Sequence, residues 1–146
     1  MSSSQLVLDT DILSLLMRKN SSVLAKAKEY LAEYERFTIS IITRYEILRG
    51  LKAKGAEQQA SRFEDFCAKN AVLPITDDVV VRAAEIYADL YKRGALIGDA
   101  DILIAASALV NGFAIVTNNV EHFRRVKSLQ VVNWLWPSSD PAPTLV

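Results

Sequence analysis

The 146-residue chain contains only one cysteine, Cys67, and one histidine, His122. A disulfide within the chain is therefore impossible, and a zinc site built from Cys and His clusters is excluded. The longest apolar stretch, residues 102–116, is interrupted by polar residues and by Asn111-Gly112, which leaves it too short to span a bilayer. Acidic and basic residues are equal at 17 each, so any attraction for nucleic-acid phosphates has to be local.

The length and hydrophobic content of the chain fit a single α/β domain, since 146 residues with 51% hydrophobic content can bury a sizeable core. The N-terminus has no basic segment followed by an apolar one, which argues against a signal peptide. Together with the lone cysteine, this predicts a soluble, cytoplasmic protein without membrane contact. We expect one domain over residues 1–136 and an extended or disordered proline-rich tail over residues 137–146.

Short apolar runs alternate with amphipathic stretches along the chain. Strands are predicted over residues 6–8, 37–40, 71–75, 113–117 and 130–132. Helices are predicted over residues 12–17, 23–34, 42–53, 57–70 and 77–91, and from Asp99 or Asp101 to Asn111. This alternation predicts right-handed crossovers and a three-layer α/β/α domain with a central, mostly parallel sheet of four or five strands. Ligands of such sheets bind beyond the carboxyl ends of the strands.

Carboxylates follow the first two predicted strands. Asp9 directly follows the first strand and is well placed for a metal, whereas Asp11 is placed to cap the next helix. Glu46 falls in the first or second helical turn after the second strand and shares the predicted edge with Asp9. Glu46 is open to a second interpretation, a surface glutamate that pairs with Arg49 three residues later.

Two more carboxylates precede an almost wholly apolar helix. Asp101 is in register with Ala105 and Leu109, so it points along a packed face. Burial of an unpaired charge costs several kcal/mol, and a bound cation is the simplest compensation. Asp99 has an alternative role as the N-cap of this helix.

Two side chains with neutral oxygen atoms lie at the carboxyl end of the strand over residues 113–117. Thr117 and Asn119 can contact a metal, a metal-bound water or a phosphate, although asparagine after a strand is also ordinary turn chemistry. Carboxylates without a Cys or His cluster favour Mg²⁺ or Mn²⁺ over zinc. Such cations polarise phosphoryl oxygens and lower the pKa of bound water, which is the chemistry of phosphodiester hydrolysis.

Four short motifs in a specific order resemble the PIN-domain nucleases, and within them the VapC-type toxins of bacterial toxin–antitoxin modules. They are Leu8-Asp9-Thr10-Asp11, Glu46-Ile47-Leu48-Arg49-Gly50, the run over residues 97–106, and Val116-Thr117-Asn118-Asn119 followed by His122-Phe123. The resemblance covers most of the chain and implies a PIN-like fold. It also implies a metal-dependent endoribonuclease that acts as a toxin.

The resemblance assigns roles to individual residues. It implies that Asp9, Glu46 and Asp101 hold Mg²⁺, with Mn²⁺ as a substitute and Asp99 as a supporting carboxylate. Many PIN domains have aspartate at the position of Asn119, and some toxins have glutamate in place of His122. These two departures leave one resident Mg²⁺, with a second arriving with the substrate, as plausible as two.

The resemblance also implies binding partners. Relatives form homodimers and are silenced by a small VapB-like antitoxin whose C-terminal segment enters the active-site groove. The basic segments over residues 43–55 and 118–127 flank the motif-bearing loops and could bind RNA or an acidic antitoxin tail. The side chains expected to bind substrate are Thr117, Arg49, Arg124 and Arg125.

Two alternatives stay open at this point. In a phosphatase of the haloacid dehalogenase type, Asp9 would be the nucleophile and Asp11 the general acid/base. Gly98-Asp99 fits that family, but Leu103 occupies the place of a required aspartate and Glu46 would have no role. A catalytically weak PIN-like domain that only binds RNA or protein is the other alternative, and Asn119 is the argument for it.

Overall fold

The computed structural model describes residues 5–135. Five strands and seven helices alternate along this part of the chain, in the order β1 (Leu6–Leu8), α1 (Thr10–Met17), α2 (Ser21–Tyr34), β2 (Thr38–Ser40), α3 (Ile41–Ala53), α4 (Glu57–Lys69), β3 (Ala71–Leu73), α5 (Asp77–Lys92), α6 (Asp99–Val110), β4 (Ala114–Val116), α7 (Val120–Phe123) and β5 (Val131–Val132). No helix among these is long and apolar enough to cross a membrane.

The five strands form one sheet in the order β3-β2-β1-β4-β5, and every pairing is parallel. The predicted three-layer α/β/α fold with a parallel sheet is therefore confirmed. The chain extends the sheet from β1 toward β3 and then returns to the other side of β1 for β4 and β5. The strand order thus reverses between β1 and β4, and ligands of open α/β sheets bind at such a point.

Alternating side chains of the strands pack into two separate cores. Val7 and Ile115 belong to the core that includes α5 and α6, whereas Leu8 and Val116 belong to the core on the opposite face with α1 and α2. The central position of β1 and β4 explains why every residue of both strands is buried. The ends of these two central strands therefore lie between the two cores.

The structure differs from the sequence-based boundaries in a few places. α1 begins at Thr10, two residues earlier than predicted, and β3 ends at Leu73, before Pro74. Helix α7 was not predicted, because four residues are too few to show a helical period. The expected tail, residues 137–146, lies outside the described residues, so the domain boundary at residue 136 stays a prediction.

The N-terminus of α6 corrects one residue assignment. The N-cap of α6 is Gly98, and no side chain makes a capping hydrogen bond there. Asp99 is instead the first residue of the helix and is exposed. The capping role considered for Asp99 is therefore wrong, because the extended backbone conformation of an N-cap falls one residue earlier.

Candidate active site

The carboxyl ends of β1 and β4 bring Asp9 and Thr117 into contact. The Asp9 N–H donates to the carbonyl of Val116 at 2.9 Å and thereby extends the pairing of the two strands. The Thr117 hydroxyl donates to Asp9 Oδ2 at 2.8 Å and accepts from the N–H of Asn119 at 2.9 Å. Asp9 is only 5% exposed and Thr117 is fully buried, so this part of the edge is tightly held.

Asp11 belongs to the same cluster rather than to the cap of α1. Its Oδ2 accepts from the N–H of Asn118 at 3.1 Å, and its Oδ1 lies 3.5 Å from the Thr117 hydroxyl. The N-cap position of α1 is occupied by Asp9, so the predicted capping role of Asp11 is wrong. Sequence reasoning missed Asp11 as a site residue, although its spacing of two from Asp9 was a usable signal.

Glu46 reaches the same edge through Thr10. The Thr10 hydroxyl lies 2.6 Å from Glu46 Oε1 and 3.0 Å from the hydroxyl of Thr43. Arg49 lies 3.7 Å from Glu46 Oε2, so the pairing with Arg49 that served as an alternative interpretation also exists. The Arg49 guanidinium sits 5.1 Å from the ring centre of Tyr45, which orients it along the surface of α3.

Asp101, in the first turn of α6, faces the short helix α7. Its Oδ2 lies 3.3 Å from Nδ1 of His122, and that same nitrogen lies 2.7 Å from Nδ2 of Asn119. Asp101 also interacts electrostatically with Asp9. The structure therefore assembles Asp9, Asp101, Asn119 and Thr117 at one place, whereas Asp99 is exposed at the start of α6.

The clustering of carboxylates changes their protonation. Burial, and after it the neighbouring Asp11 carboxylate, raise the pKa of Asp9 from its ordinary 3.8 to about 7, against the opposing hydrogen bond from Thr117. Burial also raises the pKa of Asp11. Carboxyls whose pKa is raised by desolvation and by a neighbouring like charge are typical of functional sites.

The donor chemistry of the cluster fits a hard divalent cation. Carboxylate, amide and hydroxyl oxygens predominate, and the raised pKa of Asp9 marks negative charge that a cation would relieve. In the side-chain conformations of residues 5–135, however, no three Asp, Glu, His or Cys residues form a group that could hold a metal. Thr117 bonds Asp9 through Oδ2 and Thr10 bonds Glu46 through Oε1, so metal binding would use the second oxygen of each carboxylate.

The arginines expected to bind substrate differ in their surroundings. Arg124 is exposed at the end of α7. Arg125 instead donates from Nη1 to the carbonyls of Ala95 and Leu96 at 3.3 and 3.2 Å, and it lies 3.4 Å from Glu121. These contacts tie α7 to the loop before α6, so the guanidinium of Arg125 has a structural role.

Comparisons with known proteins identify the family of this chain. The family model described as PIN domain matches residues 6–129. Ribonuclease VapC2 of Rickettsia felis is 30% identical over 129 residues, which cover 88% of this chain and 96% of the relative. Ribonuclease VapC1 of Methanocaldococcus jannaschii is 32% identical over 124 residues, which cover 85% of this chain and 82% of the relative.

Solved structures show the same fold. One match is a chain in the crystal structure of VapBC2 from Rickettsia felis bound to a DNA fragment from its promoter. The TM-score is 0.78 and the sequence identity is 28%, and the match covers 88% of this chain and 97% of that chain. VapBC-1 from nontypeable Haemophilus influenzae matches with a TM-score of 0.77 and 29% identity over 89% and 98% of the two chains. The protein therefore belongs to the PIN-domain family, and within that family to the VapC ribonucleases.

Proposed function

We propose that this chain is a Mg²⁺-dependent endoribonuclease that cleaves RNA phosphodiesters and acts as the toxin of a VapBC-type toxin–antitoxin pair. The observation that carries the proposal is the meeting of Asp9 and Asp101 at the point where the strand order reverses, with Glu46 linked to the same edge through Thr10. Family membership argues against the phosphatase alternative, and PIN-domain ribonucleases generally depend on divalent metals.

The residues of the site divide into ligands and residues that position them. Asp9, Asp101 and Glu46 would hold the cation, and Asp99 would support it from the exposed start of α6. Bound Mg²⁺ supplies polarisation of a phosphoryl oxygen and a lowered pKa for a water molecule. Thr117 and Thr10 position their carboxylate partners through hydrogen bonds of 2.8 and 2.6 Å.

We propose that three further side chains bind the RNA substrate. Asn119 would bind a water or a phosphate oxygen through its amide. Exposed Arg49 and Arg124 would attract the RNA backbone, which has one phosphate charge for each nucleotide. Because the acidic and basic residues of the chain balance, this attraction has to come from such local groups.

We propose a VapB-like antitoxin as the inhibitory partner. Two of the matching solved structures are VapBC complexes, and one of these two is bound to a promoter DNA fragment. An antitoxin segment that enters the groove would meet the exposed cations Arg49 and Arg124 and block access to Asp9. A short upstream reading frame for a DNA-binding antitoxin is expected in the genome, and growth arrest by the toxin should end when that antitoxin is co-expressed.

We also propose that the chain forms a homodimer. Helix α5 exposes Val80, Tyr87 and Tyr91 at 51%, 44% and 64%, and the two tyrosine rings stack with centres 6.1 Å apart. Their spacing of seven and then four residues places them along one face of the helix. An exposed apolar stripe of this kind on a soluble domain is typical of a protein contact surface.

A ribonuclease assay tests the enzymatic proposal. The purified protein is incubated with a mixture of transfer, ribosomal and messenger RNA in Mg²⁺, with and without EDTA. The parent should cleave only with Mg²⁺, and Asp101→Asn should lose activity by at least about 100-fold because it removes a charged ligand without changing side-chain size. Asp65→Asn is the matched control, since Asp65 is exposed on α4 and should keep parental activity.

The same assay separates the proposal from its alternatives. Equal cleavage by the parent and Asp101→Asn, or cleavage that is insensitive to EDTA, would rule out the metal-dependent nuclease. RNA binding by the parent with no cleavage at any Mg²⁺ or Mn²⁺ concentration would instead favour the catalytically weak PIN-like domain.

A further inference from the structure

Two neighbouring segments carry the side chains on one side of the site. The loop over residues 93–98 leads into α6, whose first turn contains Asp101, and α7 contains His122. Asp101 Oδ2 lies 3.3 Å from Nδ1 of His122, so this contact depends on how the loop and α7 are held against each other. Among the described residues no side chain caps the N-terminus of α6. Local capping therefore does not fix the entry to this helix.

Two arginines join these segments reciprocally. Arg125, which follows α7, donates from Nη1 to the carbonyls of Ala95 and Leu96 at 3.3 and 3.2 Å. Arg93, the first residue of the loop, donates from Nη2 to the carbonyl of Arg125 at 2.6 Å. Each guanidinium therefore binds the backbone of the other segment. We name this set of contacts the arginine clasp.

Acidic side chains orient both guanidinium groups of the arginine clasp. Asp89 Oδ2 accepts from Nε and Nη2 of Arg93 at 3.1 and 2.7 Å, and the hydrogen bond from Arg93 lowers the pKa of Asp89. Glu121 Oε1 accepts from Nη2 of Arg125 at 3.4 Å. The planar guanidinium has five donors in a fixed fork, which suits several acceptors at once. Both arginines are thus engaged within the chain.

Arg125 differs in this respect from its neighbour Arg124. The Arg124 side chain is exposed at the end of α7, where a phosphate could reach it. The Arg125 side chain is only 30% exposed, and a phosphate would have to compete with its contacts to two backbone carbonyls and to Glu121. The two adjacent arginines are therefore expected to serve different purposes.

We propose that Arg125 is a positioning residue for the ribonuclease reaction and acts through Asp101. The arginine clasp holds α7 against the start of α6 and thereby fixes the contact of Asp101 with His122. Nδ1 of His122 also lies 2.7 Å from Nδ2 of Asn119, so the position of that amide depends on the same clasp. Only the kinetic test rests on the proposed function, since the arrangement of the side chains is measurable without substrate.

Nuclear magnetic resonance of His122 measures the arrangement directly, because His122 is the only histidine of the chain. The protein is ¹³C-labelled, prepared without a histidine tag and kept in EDTA. Arg125→Gln and Arg125→Lys should both shift the ring C–H signals of His122, because α7 is no longer fixed against Asp101. Lysine keeps the charge but lacks the fork that binds two carbonyls and Glu121. Arg62→Gln, at an exposed arginine on α4, is the matched control and should leave the signals unchanged.

Ribonuclease kinetics provide the second readout. In both Arg125 variants kcat should fall by about 10- to 100-fold, while KM for RNA should change by less than about 3-fold, because misplaced groups slow the reaction without removing a phosphate contact. Arg124→Gln should show the opposite pattern, a raised KM with kcat retained. Arg62→Gln should keep both constants.

Arg93→Gln tests the other half of the arginine clasp and decides the question if the Arg125 variants do not fold by circular dichroism. It should shift the His122 signals and lower kcat in the same direction as Arg125→Gln. It leaves the side chain of Arg125 in place, so direct loss of a phosphate contact cannot explain these changes.

Two outcomes would overturn the inference. Unchanged His122 signals in folded Arg125→Gln and Arg93→Gln would show that core packing alone holds α7 against α6. A raised KM in Arg125→Gln that Arg125→Lys restores would show that Arg125 binds the RNA backbone through its charge. If the parent cleaves no RNA, the proposed nuclease is refuted, and the His122 signals alone decide whether the clasp positions Asp101.

Discussion

Replacement of Asp9 by asparagine should stabilise the metal-free protein at neutral and alkaline pH. The folded structure raises the pKa of Asp9 from 3.8 to about 7, mainly through burial. Folding therefore favours the protonated carboxyl, so the associated stability is complete below about pH 4 and is lost as the pH rises toward 7. The difference between the two pKa values, converted at about 1.36 kcal/mol for each pKa unit, amounts to about 4 kcal/mol.

The amide of the variant recovers about half of this amount. The amide oxygen can still accept from the Thr117 hydroxyl, which lies 2.8 Å from Oδ2 in the parent. The amide NH₂ group has no assured acceptor, and an unsatisfied buried donor costs about 1–2 kcal/mol. Asp9→Asn should therefore be about 2 kcal/mol more stable than the parent at pH 8. This advantage should disappear at pH 5, where the Asp9 carboxyl of the folded parent is already protonated and the parent regains about 2–3 kcal/mol.

Urea denaturation followed by circular dichroism at pH 5 and pH 8, in EDTA, measures both differences. Asp65→Asn is the control for loss of one acidic charge, and its stability should follow the parent at both pH values. If Asp9→Asn and the parent show the same dependence on pH, then Asp9 is ionised in the folded protein. The reasoning from burial and from the neighbouring Asp11 carboxylate would then be refuted.

Three other variants test separate parts of the structure. Thr10→Val should lower ribonuclease activity by about 10-fold because Glu46 loses its 2.6 Å hydrogen bond, and a change in the free energy of unfolding above about 2 kcal/mol would show instead that the fold depends on Thr10. Phe123→Ala should destabilise the fold by about 3–5 kcal/mol in thermal or urea denaturation, because this fully buried ring packs α7 against the core of α5 and α6. Tyr87→Ser combined with Tyr91→Ser should shift the protein from dimer to monomer in light scattering with little loss of thermal stability; an unchanged mass would place the dimer contact elsewhere.

The positions of Asp9 and Thr117 could be predicted from the sequence because strand ends follow from periodicity. A buried strand shows as a short apolar run, and parallel pairing puts the residues that follow such runs at one edge. The same argument placed Glu46 near that edge. It could not identify Thr10 as the contact of Glu46, since that hydrogen bond joins residues 36 positions apart and depends on rotamers.

Other features of the site depend on packing between distant segments. Asp11 was expected to cap α1 from local spacing, but its carboxylate binds the backbone of Asn118, which is 107 residues away. Arg125 was expected to bind RNA from its charge, which stays a prediction; its contacts with backbone carbonyls of the loop before α6 could not be foreseen from local sequence. For Asp11 the local sequence rule fails because a tertiary neighbour provides the stronger partner.

The sequence by itself determined the alternation of strands and helices, the parallel sheet and the family, because hydrophobic period and motif order are properties of the chain. Only the tertiary structure decided which carboxylates meet, how strongly Asp9 resists ionisation and that the ring nitrogen of His122 faces Asp101. The physical reason is that desolvation, like-charge repulsion and hydrogen bonding depend on distances of a few ångströms between side chains. The order of residues along the chain does not contain those distances until the chain is folded.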